Sequence, residues 1–189
     1  MNATDTSTRI LDIAERLVQT RGFNGFSYAD IAGDLGITKA ALHYHFPGKA
    51  ELGGALIERY AERFRERLAE IDEEGADTPA KLQAYADIYA GVLREQRMCL
   101  CGMLAAEYET LPAPMREAIL GFFDESETWL ARVLEEGSEA GSLRLPGRAD
   151  EEARAIVDGL EGALLVARPF GDVGRFEATA ARLLGRLSA

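Results

Sequence analysis

Residues 27–49 read Ser27-Tyr-Ala-Asp-Ile-Ala-Gly-Asp-Leu-Gly-Ile-Thr-Lys-Ala-Ala-Leu-His-Tyr-His-Phe-Pro-Gly-Lys49, and the punctuation of this stretch decides the fold. Ser27 is a natural N-cap, and Ile31 and Leu35 fall one helical turn apart on a single apolar face. Gly36 follows where a left-handed residue ends a helix. Thr38 caps a second helix that turns Ala41 and Leu42 inward and Lys39, His43 and Tyr44 outward. Phe46 closes that helix, and Pro47-Gly48 stops it. Two short helices with this turn make a helix-turn-helix, whose second helix enters the DNA major groove. An ordinary helical hairpin in an all-α core has the same spacing, so spacing alone leaves both readings open.

Outward from this stretch the periodicity stays helical. Ile10, Ile13, Ala14, Leu17 and Val18 repeat at three- and four-residue intervals, predicting a helix over 6–21 that Gly22 ends. Leu52, Leu56, Tyr60, Phe64, Leu68 and Ile71 form one stripe on a long helix over 49–73. Thr78 and Pro79 open the next helix as N-cap and first helical residue, with Leu82, Tyr85, Ile88, Tyr89 and Val92 inward. A short apolar segment, 98–108, precedes a Leu-Pro-Ala-Pro break and a helix over 114–140 carrying Ile119, Phe122, Phe123, Trp129, Val133 and Leu134. A loop at 141–147 leads to final helices over 150–167 and 173–187. No β-alternation persists, so the expected fold is all-α, about nine helices. The expected division is a three-helix domain at 1–48 and a larger helical domain at 49–189. The helix over 49–73 joins them without a linker, so movement in the second domain can tilt the first.

The chain has 189 residues, 47% of them hydrophobic and 28% charged, enough apolar material for a buried core. No apolar run reaches the ~20 residues that span a bilayer. The polar N-terminus lacks the order of a secretion signal, and with two cysteines there is no disulfide framework. A cytoplasmic location fits both. The net charge of −11 is unexpected in a chain that must displace counterions from phosphates. Its distribution resolves the conflict. Residues 1–60 hold six Lys/Arg against seven Asp/Glu, a net of −1, while 61–189 hold 15 against 25, a net of −10. The acidity belongs to the second domain, where it reads mainly as a solvated surface.

Residues 9–52 resemble the DNA-binding domain of TetR/AcrR-family transcriptional regulators. The resemblance rests on Arg9-Ile10, Ile13-Ala14, Gly22-Phe23, Phe26-Ser27, Ile31-Ala32, Gly36-Ile37-Thr38-Lys39, Leu42, Tyr44-His45-Phe46, Lys49 and Leu52, in one ungapped run. Leu35 stands where a small Ala is commoner and His43 where Tyr is usual. The resemblance implies that Thr38, Lys39, Ala40 and His43 face bases, with Tyr44, His45 and Lys49 nearer the phosphates. Ser27 and Tyr28 then approach the backbone at a helix start. It also implies a ligand-responsive regulator, a repressor released from a palindromic operator by a small-molecule inducer. Dimerisation through the last two helices is the further implication, with paired helices reading half-sites ~34–36 Å apart.

Candidate chemistry elsewhere is sparse. His43 and His45 lie roughly 200° apart on a helix and cannot share a metal, so no metal and no cofactor are expected. No nucleotide-binding loop or catalytic constellation is present, and an enzyme is not expected. Cys99 and Cys101 have two readings. They are small buried hydrophobes, or thiols near a helix start that sense an electrophile or oxidant. Residues two apart point to opposite sides, so a direct disulfide between them would be strained. Tyr85, Tyr89, Phe122, Trp129, Met98, Cys99 and Met103 read as core by spacing, and the family resemblance places a ligand cavity among them. Glu107 and Glu109 are candidates for recognising a cation there. From a different class, a helical ligand-binding scaffold that never touches DNA also fits the −11 charge.

Overall fold

The early apolar repeat produces α1 (Ala3–Arg21), which buries Ile10, Ala14, Leu17 and Val18 and ends at Gly22, a left-handed residue at φ 82°. The structure, a computed structural model, describes residues 3–188. Next come α2 (Tyr28–Leu35), α3 (Lys39–His45) and α4 (Lys49–Glu73), then α5 (Thr78–Arg94), α6 (Leu100–Ala106) and α7 (Ala113–Glu139), and finally α8 (Ala149–Ala167) and α9 (Val173–Gly185). Short 3-10 turns stand at Tyr108–Thr110 and Arg168–Phe170. The described residues form nine α-helices and no strand, with one isolated bridge between Leu143 and Ser188. The fold is all-α, as expected.

The chain gathers into two compact units. One comprises the residues up to Glu62 together with Cys99–Leu120; the other comprises Arg63–Met98 and Gly121–Ala189. The helix-turn-helix therefore shares its unit with α6 and the start of α7. In this unit α1 packs on α2 and on α6, around Ile31, Leu42, Leu52, Leu56, Ile57, Leu100 and Leu104. Gly53 lies so close to Met115 that an added Cβ would stand 2.5 Å from its Sδ.

In the other unit α5, α8 and α9 pack on one another around Leu82, Ala86, Ile156, Leu160, Leu164 and Phe176. The stripe on α4 is buried along its whole length, from Leu52 to Ile71. Burial of each such Leu or Ile contributes about 1.5–3 kcal/mol. The α5 face differs from expectation. Ala86, Ala90 and Leu93 are buried with Leu82, Tyr85 and Tyr89, while Ile88 and Val92 are only half-buried. Alanines let neighbouring helices approach, so small size decided what large apolar volume did not. The α5 cap also moves by one residue: Asp77, not Thr78, accepts from Ala80 N at 3.0 Å. No described helix is long and apolar enough to cross a membrane.

Candidate nucleic-acid interface and the aromatic core

The local chemistry of residues 27–46 folds as its sequence indicates. Ser27 directs both its N–H (2.8 Å) and its hydroxyl (2.7 Å) to the Asp30 carboxylate. Those two bonds hold the Asp30 pKa below the usual carboxylate range, with the hydroxyl the larger cause. Gly36 takes the left-handed conformation at φ 67°, and Ile37 N donates to Ala32 O at 3.1 Å while Gly36 N donates to Gly33 O at 3.3 Å. This is the Schellman arrangement, which sets the tight turn. Thr38 then accepts from Ala41 N at 3.1 Å and starts α3. A cap of this kind contributes about 1 kcal/mol.

The resulting α3 presents Lys39, Ala40, His43 and Tyr44 to solvent, Tyr44 at 81% exposure, while Leu42 is fully buried. His43 Nδ1 lies 3.0 Å from Pro47 O, and its ring packs 4.8 Å from that of Tyr28. His45 is half-buried, edge-on to Tyr44 at 5.3 Å. An exposed, short helix held on a buried Leu and a rigid turn can be laid in a groove without unfolding its support.

Three expected site residues are committed elsewhere. The Tyr28 hydroxyl donates to Phe46 O at 3.0 Å, tying the start of α2 to the end of α3. Burial, and secondarily the charge of Glu51, pushes its pKa up to about 12, so it stays a neutral donor. Lys49, expected near phosphates, turns its ammonium inward. It donates to Phe23 O and, at 2.6 Å, to Phe26 O, and lies 4.6 and 4.2 Å from the centroids of those two rings. Burial lowers its pKa, opposed by the charges of Glu107 and Asp30. The carbonyls of a tight turn outcompete solvent for a cation held between two aromatic faces.

Glu107 does not join the aromatic set. Its carboxylate accepts from Phe23 N at 2.5 Å and Asn24 N at 3.2 Å. The turn at 22–26 offers free amides there, and an acidic side chain at the end of α6 satisfies them. The signal for this role was the Gly22-Phe23 pair, whose glycine leaves room: a Cβ on Gly22 would stand 2.9 Å from the carboxylate.

The second unit gathers the aromatic candidates. Tyr85 stacks on Trp129 at 5.7 Å and 16°, lies 5.6 Å from Tyr89, and meets Phe64, which in turn meets Phe122 at 4.9 Å. The Tyr85 hydroxyl bonds Ser126 Oγ at 2.8 Å and the Tyr89 hydroxyl at 3.2 Å, all three residues being buried. Met98 falls in this unit, whereas Cys99, Met103 and Glu107 fall in the first. Sequence reasoning missed Ser126 and Phe64 as polar and apolar partners of Tyr85. A groove of about 540 Å³ opens over α4 and α7, lined by Leu68, Ala69, Asp72, Thr128, Trp129 and Arg132 among others. Asp72 is its hub: it accepts from Lys81 (2.8 Å), Trp129 Nε1 (3.0 Å) and Arg132 (2.5 Å). Desolvation pushes its pKa up, but these donors together outweigh it and hold the carboxyl below its usual range.

Cys99 and Cys101 are free thiols, 2% and 0% exposed. Cys99 Sγ accepts from Gly102 N at 3.5 Å, capping α6.

A two-unit, all-helical chain with an exposed helix-turn-helix helix is the architecture of a DNA-binding regulator. Residues 10–56 match the family described as bacterial regulatory proteins, tetR family, and 78–183 match the tetracyclin repressor-like C-terminal domain. The chain belongs to the TetR family, and is a DNA-binding transcriptional regulator rather than a scaffold that binds only ligand. It is 33% identical to a TetR-family regulator from Agrobacterium tumefaciens, over 100% of both chains, with a TM-score of 0.96. A TetR regulator from Legionella pneumophila matches at 32% identity and TM-score 0.89, again over 100% of both chains. The HTH-type transcriptional regulator LmrA of Bacillus subtilis is 29% identical over 174 residues, 88% of each protein.

Proposed function

We propose that this chain is a homodimeric, ligand-responsive repressor that binds a palindromic operator in the cytoplasm and leaves it when a small molecule binds. The observation that carries the reading is α3: an exposed Lys39, Ala40, His43 and Tyr44 on a helix whose far side is locked by Leu42 and the Gly36 turn. Lys39 and Thr38 supply donors for base edges or phosphates. Tyr44 and His45 lie on the same reading head and serve the backbone, while Ser27 spends its hydroxyl and N–H on Asp30 and sets the start of α2. Tyr28 and Lys49 support the head from within.

Dimerisation is supported by the end of the second unit. Leu165, Val166 and Phe170 are 59%, 49% and 65% exposed on α8 and the 3-10 turn after it. So many large apolar groups in one short segment favour an interface. A second copy meets that need and supplies the second recognition helix. The aromatic cluster around Tyr85 and the groove beside Trp129 support a ligand site, since apolar walls with a few placed polar groups hold small organic molecules. Burial of both cysteines favours their reading as core over thiol sensing.

Selection of duplexes from a random-sequence library tests the reading. The expected product is a palindrome with half-sites about one turn apart, bound at least tenfold more weakly by Lys39→Ala at matched salt. Recovery of no preferred sequence would end it. Trp129 is the chain's single tryptophan, so a candidate ligand can be followed by its fluorescence and by release of the selected duplex.

A further inference from the structure

We infer that Glu107 is the positioning residue of the DNA-reading head, acting through the turn between α1 and α2 rather than on a ligand. This rests on the reading of α3 as the recognition helix. The turn at 22–26 is gripped from two sides. Lys49 holds its carbonyls, at Phe23 and Phe26, and Glu107 holds its amides, at Phe23 and Asn24. The Asn24 side chain adds a third tie, donating from Nδ2 to Thr110 Oγ1 at 2.8 Å, and that hydroxyl donates back to Glu107 O at 2.7 Å. The end of α6 and the 3-10 turn after it therefore hold both backbone and side chain of the α1–α2 turn.

What this turn fixes is the start of α2. Ser27 follows it directly, its hydroxyl and N–H spent on Asp30, and Tyr28 ties α2 to the end of α3 through Phe46 O. From Glu107 to α3 there is thus an unbroken series of hydrogen bonds and short covalent links: the Phe23 amide, the turn, the α2 cap, Tyr28, Phe46. None of these atoms is a base or phosphate contact of Glu107 itself. Its removal should loosen α3 while leaving the number of phosphates neutralised unchanged. The amides of Phe23 and Asn24 also lose their acceptor, which exposes them to solvent exchange.

The test uses the full-length chain and the duplex selected from the random library. Glu107→Ala and Glu107→Gln are compared with wild type for affinity across salt, urea stability, dimer state, and hydrogen exchange at Phe23 and Asn24. Glu117→Gln, at an exposed position on α7 of the same unit, is the control and should match wild type. The expected result is an affinity loss of about tenfold or more for Glu107→Ala, the scale of losing a bond to a charged acceptor. The loss should exceed any change in folded fraction and leave the salt slope unaltered. The two amides should exchange faster. Glu107→Gln keeps one acceptor oxygen and should recover part of the affinity. Wild-type affinity in both variants, or a loss accounted for by unfolding alone, overturns the inference. If Glu107→Ala does not fold, wild-type affinity and exchange in Glu107→Gln overturn it equally. Failure of the wild type to prefer any duplex overturns the reading of α3 instead.

Discussion

Lys49→Met separates an internal role from a phosphate contact. Methionine keeps most of the stem and removes the ammonium that bonds Phe23 O and Phe26 O between two rings. Two bonds from a charged donor contribute about 1.5–3 kcal/mol each, and two cation–π contacts about 0.5–1 kcal/mol each. Relief of the ammonium's burial offsets part of this, as its lowered pKa indicates. The net expected loss is about 2–4 kcal/mol. Urea denaturation of the full chain measures it, with far-UV signal reporting the whole chain and amide exchange in α1, α2 and α3 reporting the unit that contains Lys49. The same variant, at a temperature where it remains folded, is then titrated with selected duplex from low to high salt. A lysine at a phosphate would reduce the salt slope by about 0.9 per contact, about 1.8 for a dimer. The structure requires the slope to stay the same. Wild-type stability together with a slope reduced by that amount would refute the internal assignment.

Other predictions concern the second unit. Leu165→Asp with Val166→Asp should yield a folded monomer by sedimentation, because both side chains are about half exposed or more within the chain; a persisting dimer would move the interface elsewhere. Tyr85→Phe keeps the ring stack on Trp129 but removes the hydroxyl that meets Ser126 and Tyr89, and should cost about 1–2 kcal/mol in urea. Asp72→Asn should lower stability at neutral pH by about 1–3 kcal/mol. Because the folded carboxyl titrates below its unfolded value of 3.8, this advantage is fully present above that value. It should fade as pH falls below 3.8, so the wild-type and variant curves converge in acid. Curves that stay parallel there would remove the ionised carboxylate as the cause.

The sequence by itself determined the elements that depend on neighbours within one turn. The Gly36 turn, the Thr38 cap, the apolar stripe from Leu52 to Ile71 and the outward face of α3 are all local, set by φ preference, capping and a 3.6-residue period. Two short helices joined by a tight turn were legible for that reason; that they form a DNA-reading helix-turn-helix rather than an ordinary hairpin rested on the resemblance of residues 9–52. Tertiary structure decided the partners of long polar side chains, whose reach spans many positions on a helix surface. The resemblance put Lys49 near phosphates and Glu107 stood as a candidate for recognising a cation, until the α1–α2 turn presents carbonyls to one and amides to the other. Tyr28 likewise finds Phe46 O only once α3 is docked. The aromatic residues were identified as a group, but only packing chose Ser126 and Phe64 to complete it. A periodic pattern names the face of a helix; which atoms meet across it depends on the distances at which helices dock, and no local rule contains those.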